Sequence, residues 1–329
     1  MQNRVLSCDW GSSSFRLRLV DTNSREAIAE IVSGSGNAAI YKKWKEGPNT
    51  DRVLFYLRYL KEAVEKLSAE SGISLDEMII LVSGMASSSV GIRELQYAEV
   101  PFSMDGHSAH TAWISGQPVL PNDILLISGL QNAGDVMRGE ETQLVGLADL
   151  CDGPGKEEGL YILPGTHSKH VTVRHNRIVH FETYMTGEVF DILTRHSMLA
   201  HAVSAPVDNT VTNLDIEAFL AGVAKSFASQ LLNGLFSVRI NQLKDYLPGQ
   251  QNYFYLSGLL IGTELRSIRK ESRQRLYLCC GKNMQPFYQM ALEYASLAGK
   301  TITIAPEIMD RSAAAGQIKI LKYLEAKTT

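Results

Sequence analysis

Two adjacent carboxylates, Glu140 and Glu141, follow a glycine at the head of an apolar stripe, Leu144, Leu147 and Cys151. At a helix start the backbone N–H groups point outward and partial positive charge collects, so a carboxylate is favoured there. On a helix beginning near Gly139, Glu140 heads the inward stripe, and Glu141 is turned sideways by one step of ~100°. Later in the same stretch, Asp135–Val173, the turn Pro164-Gly165-Thr166-His167 joins two strand-like runs, Leu160–Leu163 and Lys169–Arg174. A glycine lets a phosphate approach the backbone closely, and a threonine adds a hydroxyl. A base followed by a phosphate clamp is the minimum equipment for phosphoryl transfer to an alcohol. A polar helix start followed by an ordinary hairpin would use the same residues.

A second phosphate-type turn, at the N-terminus, tips the balance. Val5–Asp9 and Phe15–Asp21 are apolar-rich runs joined by Trp10-Gly11-Ser12-Ser13-Ser14. The pattern is Asp9-x-Gly11-Ser12-Ser13-Ser14-x-Arg16. Gly11 permits a tight backbone, the serines supply hydroxyls, Asp9 can hold a hydrated cation, and Arg16 offers a forked donor to phosphate oxygens. A plain serine-rich hairpin is the competing reading.

The elements around these turns follow from periodicity. A third strand over Glu26–Val32 completes a meander, and Ser33–Asn37 reads as a Gly/Ser loop. Thr50–Glu70 is an amphipathic helix with Val53, Leu57, Leu60, Val64 and Leu67 on one stripe. Met78–Val82 and Ile124–Ile127 are continuously apolar, as buried strands are. The loop Gly84–Gly91 lies at the C-terminal end of the first of these, where ligands sit in open α/β sheets. Gly84 and Met85 of that loop are therefore candidate substrate residues; Arg93, just beyond it, is a cation for a substrate carboxylate, although most such arginines are simply solvated, and Arg138 is a further candidate. Gly155–Gly159 reads as a loop at the domain boundary, and Ile178–Tyr184 as the third strand of a second meander. Helices follow over Glu188–Ser197, Asp215–Gly234 and Phe254–Arg269. The strand Leu276–Cys280 ends in Gly281-Lys282-Asn283, a junction where an adenine could lie flat on the backbone, and leads into a helix over Gln285–Leu297. Thr301–Ala305 is the last strand, and Glu307–Leu324 a closing helix with the small cluster Ser312–Gly316. His167 and His170 are three apart on an extended run and face opposite ways, so zinc is not expected there.

A chain of 329 residues suggests two domains, 1–152 and 153–329. Apolar content of 45% and charged content of 20% are those of a globular protein. A net charge of −3 gives no reason to expect nucleic acid or a membrane surface as partner. The N-terminal residues turn polar before a signal-peptide core forms, and no apolar run approaches a membrane span. The four cysteines form no C-x-x-C and suit free thiols in a reducing cytoplasm. Composition is compatible with a monomer or a homo-oligomer.

Five pieces stand in a fixed order: Asp9–Arg16, Glu140–Gly146, Gly165–Thr166, Gly281–Asn283 and Ser312–Gly316. That order resembles the phosphate-1, connect-1, phosphate-2, adenosine and connect-2 motifs of the actin-like ATPase superfamily, which includes hexokinase and glycerol kinase. The resemblance spans nearly the whole chain. Gly139-Glu140-Glu141 is similar to the Gly-Asp-Gln of glycerol kinases, with Glu in place of the basic Asp. More narrowly, five runs resemble 2-dehydro-3-deoxygalactonokinases: Asp9-Trp10-Gly11-Ser12, Val136–Leu144, Pro164-Gly165-Thr166-His167-x-Lys169, Met185–Glu188 and Leu256–Gly262. The segment between Gly129 and Val136 is short for that family.

The resemblance implies an α/β protein of two ribonuclease-H-like domains with an interdomain cleft. It implies ATP and Mg²⁺ on Asp9, Gly11, Ser12, Ser13, Arg16, Gly165, Thr166, His167 and Lys169, with adenine near Gly281, Lys282 and Asn283. Asp9 would hold Mg²⁺ through water, and Glu140 would take the proton of the 6-hydroxyl of 2-dehydro-3-deoxy-D-galactonate. Another sugar or sugar-acid kinase of the same fold is the nearest alternative. An actin-style ATP-binding scaffold is another, but it has no need of a hydroxyl base.

Overall fold

The alternating N-terminal runs form an antiparallel meander of β1 (Arg4–Trp10), β2 (Phe15–Asp21) and β3 (Ala27–Ser33), in which Asp9 is opposite Arg16 and Trp10 opposite Phe15. The structure, a computed structural model, describes residues 3–48, 51–151, 157–268 and 274–328. Helices α1 (Asn37–Glu46) and α2 (Arg52–Ser71) lead to β4 (Ile80–Gly84). The Asp51 side chain accepts from the Leu54 N–H to start α2, and Gly72 ends it with φ 69°. Next come the short strands β5 (Ala98–Glu99) and β6 (Phe102–Ser103), β7 (Thr111–Ile114), β8 (Ile124–Ile127), the short β9 (Leu130–Gln131) and β10 (Val136–Met137), and α3 (Glu140–Leu150).

The later chain begins with β11 (Gly159–Leu163), β12 (Ser168–Arg174) and β13 (Arg177–Tyr184). Four helices follow: α4 (Thr186–His196), α5 (Asn213–Ala228), α6 (Leu231–Leu243) and α7 (Gly249–Leu265). It closes with β14 (Leu276–Leu278), α8 (Gln285–Tyr294), β15 (Thr301–Thr303) and α9 (Pro306–Thr328).

One sheet has the order β3-β2-β1-β4-β8-β7, with β4 parallel to β1 and β8 parallel to β4. The other six-stranded sheet runs β15-β14-β11-β12-β13-β6, with β14 parallel to both β11 and β15. In each, a three-strand meander is extended beside its first strand by two parallel strands. That order, third-second-first-fourth-fifth, is the ribonuclease-H-like sheet, and it occurs twice.

By contact the chain divides into two compact units. One is Met1–Glu158 with Val171–Phe181 and Ala305–Thr329; the other is Gly159–His170 with Glu182–Ile304. The boundary drawn at 152/153 lies outside the described residues, as does the start of the Gly155–Gly159 loop. The units are discontinuous in sequence, and α9 returns to the first, so a single cut does not reproduce them.

In the first unit, α2 buries Tyr56, Leu60 and Leu67 against Cys8, Leu17 and Val82. Another cluster joins α9, through Ala314, Ile318 and Leu321, to Val5, Leu81 and Leu125 of the sheet. Helices α3 and α9 touch backbone to backbone: a Cβ on Gly146 would lie 1.7 Å from the Ser312 carbonyl oxygen, and one on Gly316 1.9 Å from that of Thr142. In the second unit, Phe219 and Val223 of α5, Ile261 of α7 and Leu292 of α8 pack on Ile162 and Leu278.

Three elements depart from the sequence expectation. Helix α1 follows directly on the Ser33–Asn37 loop, although its N-cap, Gly36, offers no side chain and Ile40 is its only buried large apolar residue. The single helix expected over Asp215–Gly234 is two, α5 and α6, interrupted at Ser229-Gln230. Strand β7 is an edge strand with Trp113 facing outward, so it lacks the apolar run of a central strand.

Candidate active site

The Gly11–Ser14 turn is held from behind by the start of α1. The Asn37 N–H donates to the Gly11 carbonyl at 2.9 Å, and the Ala38 N–H to that of Ser12 at 3.2 Å. Gly36 makes this approach possible, since a Cβ there would lie 2.3 Å from the Ser12 oxygen. Asp9, half-buried at the end of β1, faces a small recess that Ser7, Arg16, Arg18, Gln143 and Asp310 also line. Burial pushes the Asp9 carboxyl up; Arg16 and Arg18 oppose this, and the charge of Glu140 adds to it. The phosphate donor expected at Arg16 is partly engaged, with Nη1 3.0 Å from Asp310 Oδ1. Arg18 holds the same carboxylate at 2.6 Å and also pairs with Glu30 at 2.9 Å. Asp310, from the last helix, was not legible as a site residue, because only the fold brings it to β2.

Helix α3 begins at Glu140, with Gly139 as N-cap at φ 111°. The carboxylate pair is arranged differently from the expectation. Glu141 does not point sideways into solvent: it is 2% exposed, and its oxygens accept the Gly139 N–H at 2.8 and 3.1 Å and the Thr142 hydroxyl at 2.8 Å. Both faces of α3 are covered, so a residue one helical step from the stripe is also buried. Burial, then the charge of Glu140, pushes the Glu141 carboxyl up to about 7. Glu140 is half-exposed and close enough to Asp9 to perturb it. Its Oε2 is buried, but of the two glutamates it is the less enclosed.

Gly84 ends β4 with φ 88°, and a Cβ on it would lie 2.7 Å from the Trp10 carbonyl oxygen. Gly139 is next to it: a Cβ there would be 3.5 Å from the Gly84 Cα. The glycine that ends β4 and the start of α3 are thus adjacent. Met85 is half-buried in the turn that follows, and Arg93 is exposed, with its N–H 3.4 Å from the Ala86 carbonyl. Arg138 is differently employed. Its guanidinium donates to the Ser87 carbonyl at 2.6 Å, the Ser87 hydroxyl at 2.8 Å and the Leu95 carbonyl at 3.2 Å, and lies 3.9 Å from the Tyr97 ring centre. It ties the segment 84–95 to the start of α3.

In the second unit, the Pro164–His167 turn mirrors the first. A Cβ on Gly187 of α4 would lie 2.6 Å from the Gly165 carbonyl oxygen, and the Glu188 N–H donates to the Thr166 carbonyl at 2.9 Å. Gly165 and Thr166 are exposed. His167 hydrogen-bonds Glu188, whereas His170 pairs with Glu264 at 3.1 Å, so the two histidines serve different partners. Lys169 is 4% exposed and donates to the His167 carbonyl at 3.2 Å. It braces the turn from within rather than standing open to a phosphate. Gly281, Lys282 and Asn283 are exposed between β14 and α8, and a Cβ on Gly281 would meet nothing within 4 Å.

Paired ribonuclease-H-like sheets, each with a helix-backed hairpin turn, and a carboxylate-headed helix define an actin-like ATPase-fold sugar kinase. A family model for 2-keto-3-deoxy-galactonokinase matches residues 9–319, and the chain belongs to that family. It is 34% identical over 263 residues to a probable 2-dehydro-3-deoxygalactonokinase of Rhizobium meliloti (strain 1021), covering 78% of each chain. To the 2-dehydro-3-deoxygalactonokinase of Escherichia coli (strain K12) it is 28% identical over 312 residues, covering 89% of this chain and 90% of that one. A crystal structure of a Sinorhizobium meliloti protein assigned as a 2-dehydro-3-deoxygalactonokinase superposes with a TM-score of 0.77 at 28% identity, over 98% of this chain and 96% of that one. The phosphoryl donor of a kinase family is ATP, and its acceptor here is a small molecule. Among the described residues, no helix is long and apolar enough to cross a membrane.

Proposed function

We propose that the chain transfers the γ-phosphoryl group of ATP to the 6-hydroxyl of 2-dehydro-3-deoxy-D-galactonate. The observation that carries this is Glu140, a half-exposed carboxylate at the start of α3, electrostatically coupled to Asp9, in a chain of this family. Glu140 accepts the hydroxyl proton as the P–O bond forms, a contribution of ~10²–10⁴-fold. Glu141, locked onto the Gly139 N–H, fixes the turn from which Glu140 projects. Gly84, Met85 and Arg93 flank the acceptor, with Arg93 the cation for its carboxylate, and Arg138 holds their loop in place.

The Gly11–Ser13 turn with Arg16 and the Gly165–Thr166 turn with His167 hold phosphate oxygens, and Gly281–Asn283 lies along the adenine. Lys169 supports its turn through the His167 carbonyl. Mg²⁺ binds one or two carboxylates and completes its shell with water and phosphate. Asp9, raised by burial and by Glu140, is the carboxylate a cation would relieve. When bound, Mg²⁺ neutralises phosphate charge; positioning supplies most of the remaining rate enhancement. The free thiols Cys8, Cys279 and Cys280, all buried, support a reducing, cytoplasmic setting.

The test is ATP consumption by the purified protein with Mg²⁺ across a set of acceptors. Turnover should be far faster with 2-dehydro-3-deoxygalactonate than with galactose or glycerol. Equal use of neutral sugars would defeat the sugar-acid assignment.

A further inference from the structure

Helix α7 is apolar along most of Leu256–Gly262, yet it carries a carboxylate, Glu264, that is 2% exposed. A carboxylate is tolerated in such a place only where donors replace its water. His170 Nε2 lies 3.1 Å from Oε1, the Tyr288 hydroxyl donates to Oε2 at 2.9 Å, and the Thr186 hydroxyl donates to Oε2 as well. The three partners come from β12, α8 and the first residue of α4.

From Glu264, two routes run to the same hairpin turn. Along one, the Tyr288 hydroxyl is 3.3 Å from Ser168 Oγ, which accepts the Gly165 N–H at 3.4 Å. Along the other, Thr186 opens α4, whose Gly187 and Glu188 contact the Gly165 and Thr166 backbone and whose Glu188 side chain meets His167. The Tyr184 ring covers His170, with centroids 4.5 Å apart, and closes the network on a further side.

We propose that Glu264 is a positioning residue for phosphoryl transfer: through Tyr288–Ser168 and through Thr186–Glu188 it fixes both flanks of the Gly165–Thr166 turn in the conformation that receives ATP phosphates. This rests on reading that turn as a phosphate site. Glu264 itself does not touch the nucleotide. Its effect is that of the outer groups that orient a binding shell, where small losses of alignment reduce affinity. A buried network that merely holds the core together would have a different signature, because it would not distinguish between the two substrates.

The test is steady-state kinetics on the full chain for Glu264→Gln, Tyr288→Phe and Thr166→Val, with thermal melts alongside. Glu264→Gln keeps the shape but replaces one acceptor oxygen with a donor. Tyr288→Phe keeps the ring and removes the link to Ser168. In both, KM for ATP should rise about five- to tenfold, while KM for the sugar acid stays within about twofold. If Thr166→Val raises KM for ATP but Glu264→Gln and Tyr288→Phe only lower the melting temperature, the inference is overturned and the phosphate turn stands. If Thr166→Val leaves ATP kinetics unchanged, the turn is not a phosphate site and both fall. Should Glu264→Gln fail to fold, the KM ratio of Tyr288→Phe decides.

Discussion

Gly36 and Gly187 occupy equivalent stations in the two ribonuclease-H-like halves, each pressing a helix start against the carbonyls of a hairpin turn. A Cβ would lie 2.3 Å from the Ser12 oxygen in one case and 2.6 Å from the Gly165 oxygen in the other. In each, the next N–H along the helix donates to the turn at 2.9 Å, from Asn37 to Gly11 and from Glu188 to Thr166. Neither glycine has the positive φ that usually explains the residue. Its role here is absence of volume.

Gly36→Ala and Gly187→Ala should therefore each displace a turn. Overpacking against rigid backbone costs about 1–3 kcal/mol, so both variants should melt earlier. KM for ATP should rise, whereas a control such as Gly134→Ala, with open space around its Cβ, should change neither quantity. Wild-type ATP kinetics in both variants would separate these turns from nucleotide binding.

The two adjacent glutamates should behave oppositely. Glu140→Gln keeps the shape but cannot take the proton, so kcat should fall at least ~10²-fold with ATP binding retained. Glu141→Gln can still accept the Gly139 N–H and should keep most of its turnover. Rapid-quench measurement of the chemical step is the appropriate check, and a dead Glu141→Gln beside an active Glu140→Gln would reverse the assignment.

Glu141 also makes a prediction about pH. Its carboxyl is pushed from an ordinary 4.5 to about 7 in the folded chain, so the folded state holds that proton more tightly than the unfolded state does. Ionising it destabilises the fold: the loss is absent below 4.5, grows with rising pH, and is complete above about 7. Glu141→Gln lacks this loss. Relative to wild type, it should gain about 3 kcal/mol between those limits, read from urea unfolding at several pH values. A stability difference that stays flat with pH would show that Glu141 is not ionising within the core.

Gln317 should be a stability determinant without being a reactant. It is fully buried on α9, accepts the Ser7 hydroxyl at 2.7 Å, and donates to the Cys8 carbonyl at 2.9 Å and the Ser83 hydroxyl at 2.8 Å. Gln317→Leu would strand three buried polar groups immediately behind Asp9 and Gly84, and should cost about 2–4 kcal/mol in urea unfolding. A loss below about 0.5 kcal/mol would mean those groups find other partners.

The two hairpin turns and the start of α3 were legible because their signals are local: Asp9-x-Gly11-Ser12 and Gly165-Thr166 declare a turn within a few residues, and α3 begins at Glu140 as its stripe requires. What was not legible depends on partners distant in sequence. Arg16 reads as an open cation until α9 delivers Asp310 to it, and Arg138 until Ser87 and Leu95 surround it. Glu141 was misjudged because helical periodicity distinguishes one face from another only when one face is wet. Glu264 did leave a signal, a carboxylate just after an apolar helical run.

The chain order of α9 has a further consequence, for folding. Residues 306–328 are distant in sequence from the sheet they cover, with Ala314, Ile318 and Leu321 packed on Val5, Leu81 and Leu125. Until α9 docks, that apolar surface has no native cover, and Asp310 and Gln317 are missing from behind Asp9. An intermediate without this docking carries an exposed sheet face and is prone to aggregation. A truncated chain ending before Pro306 should therefore be protease-sensitive in the β1–β4 region, a sensitivity absent from the chain that carries α9.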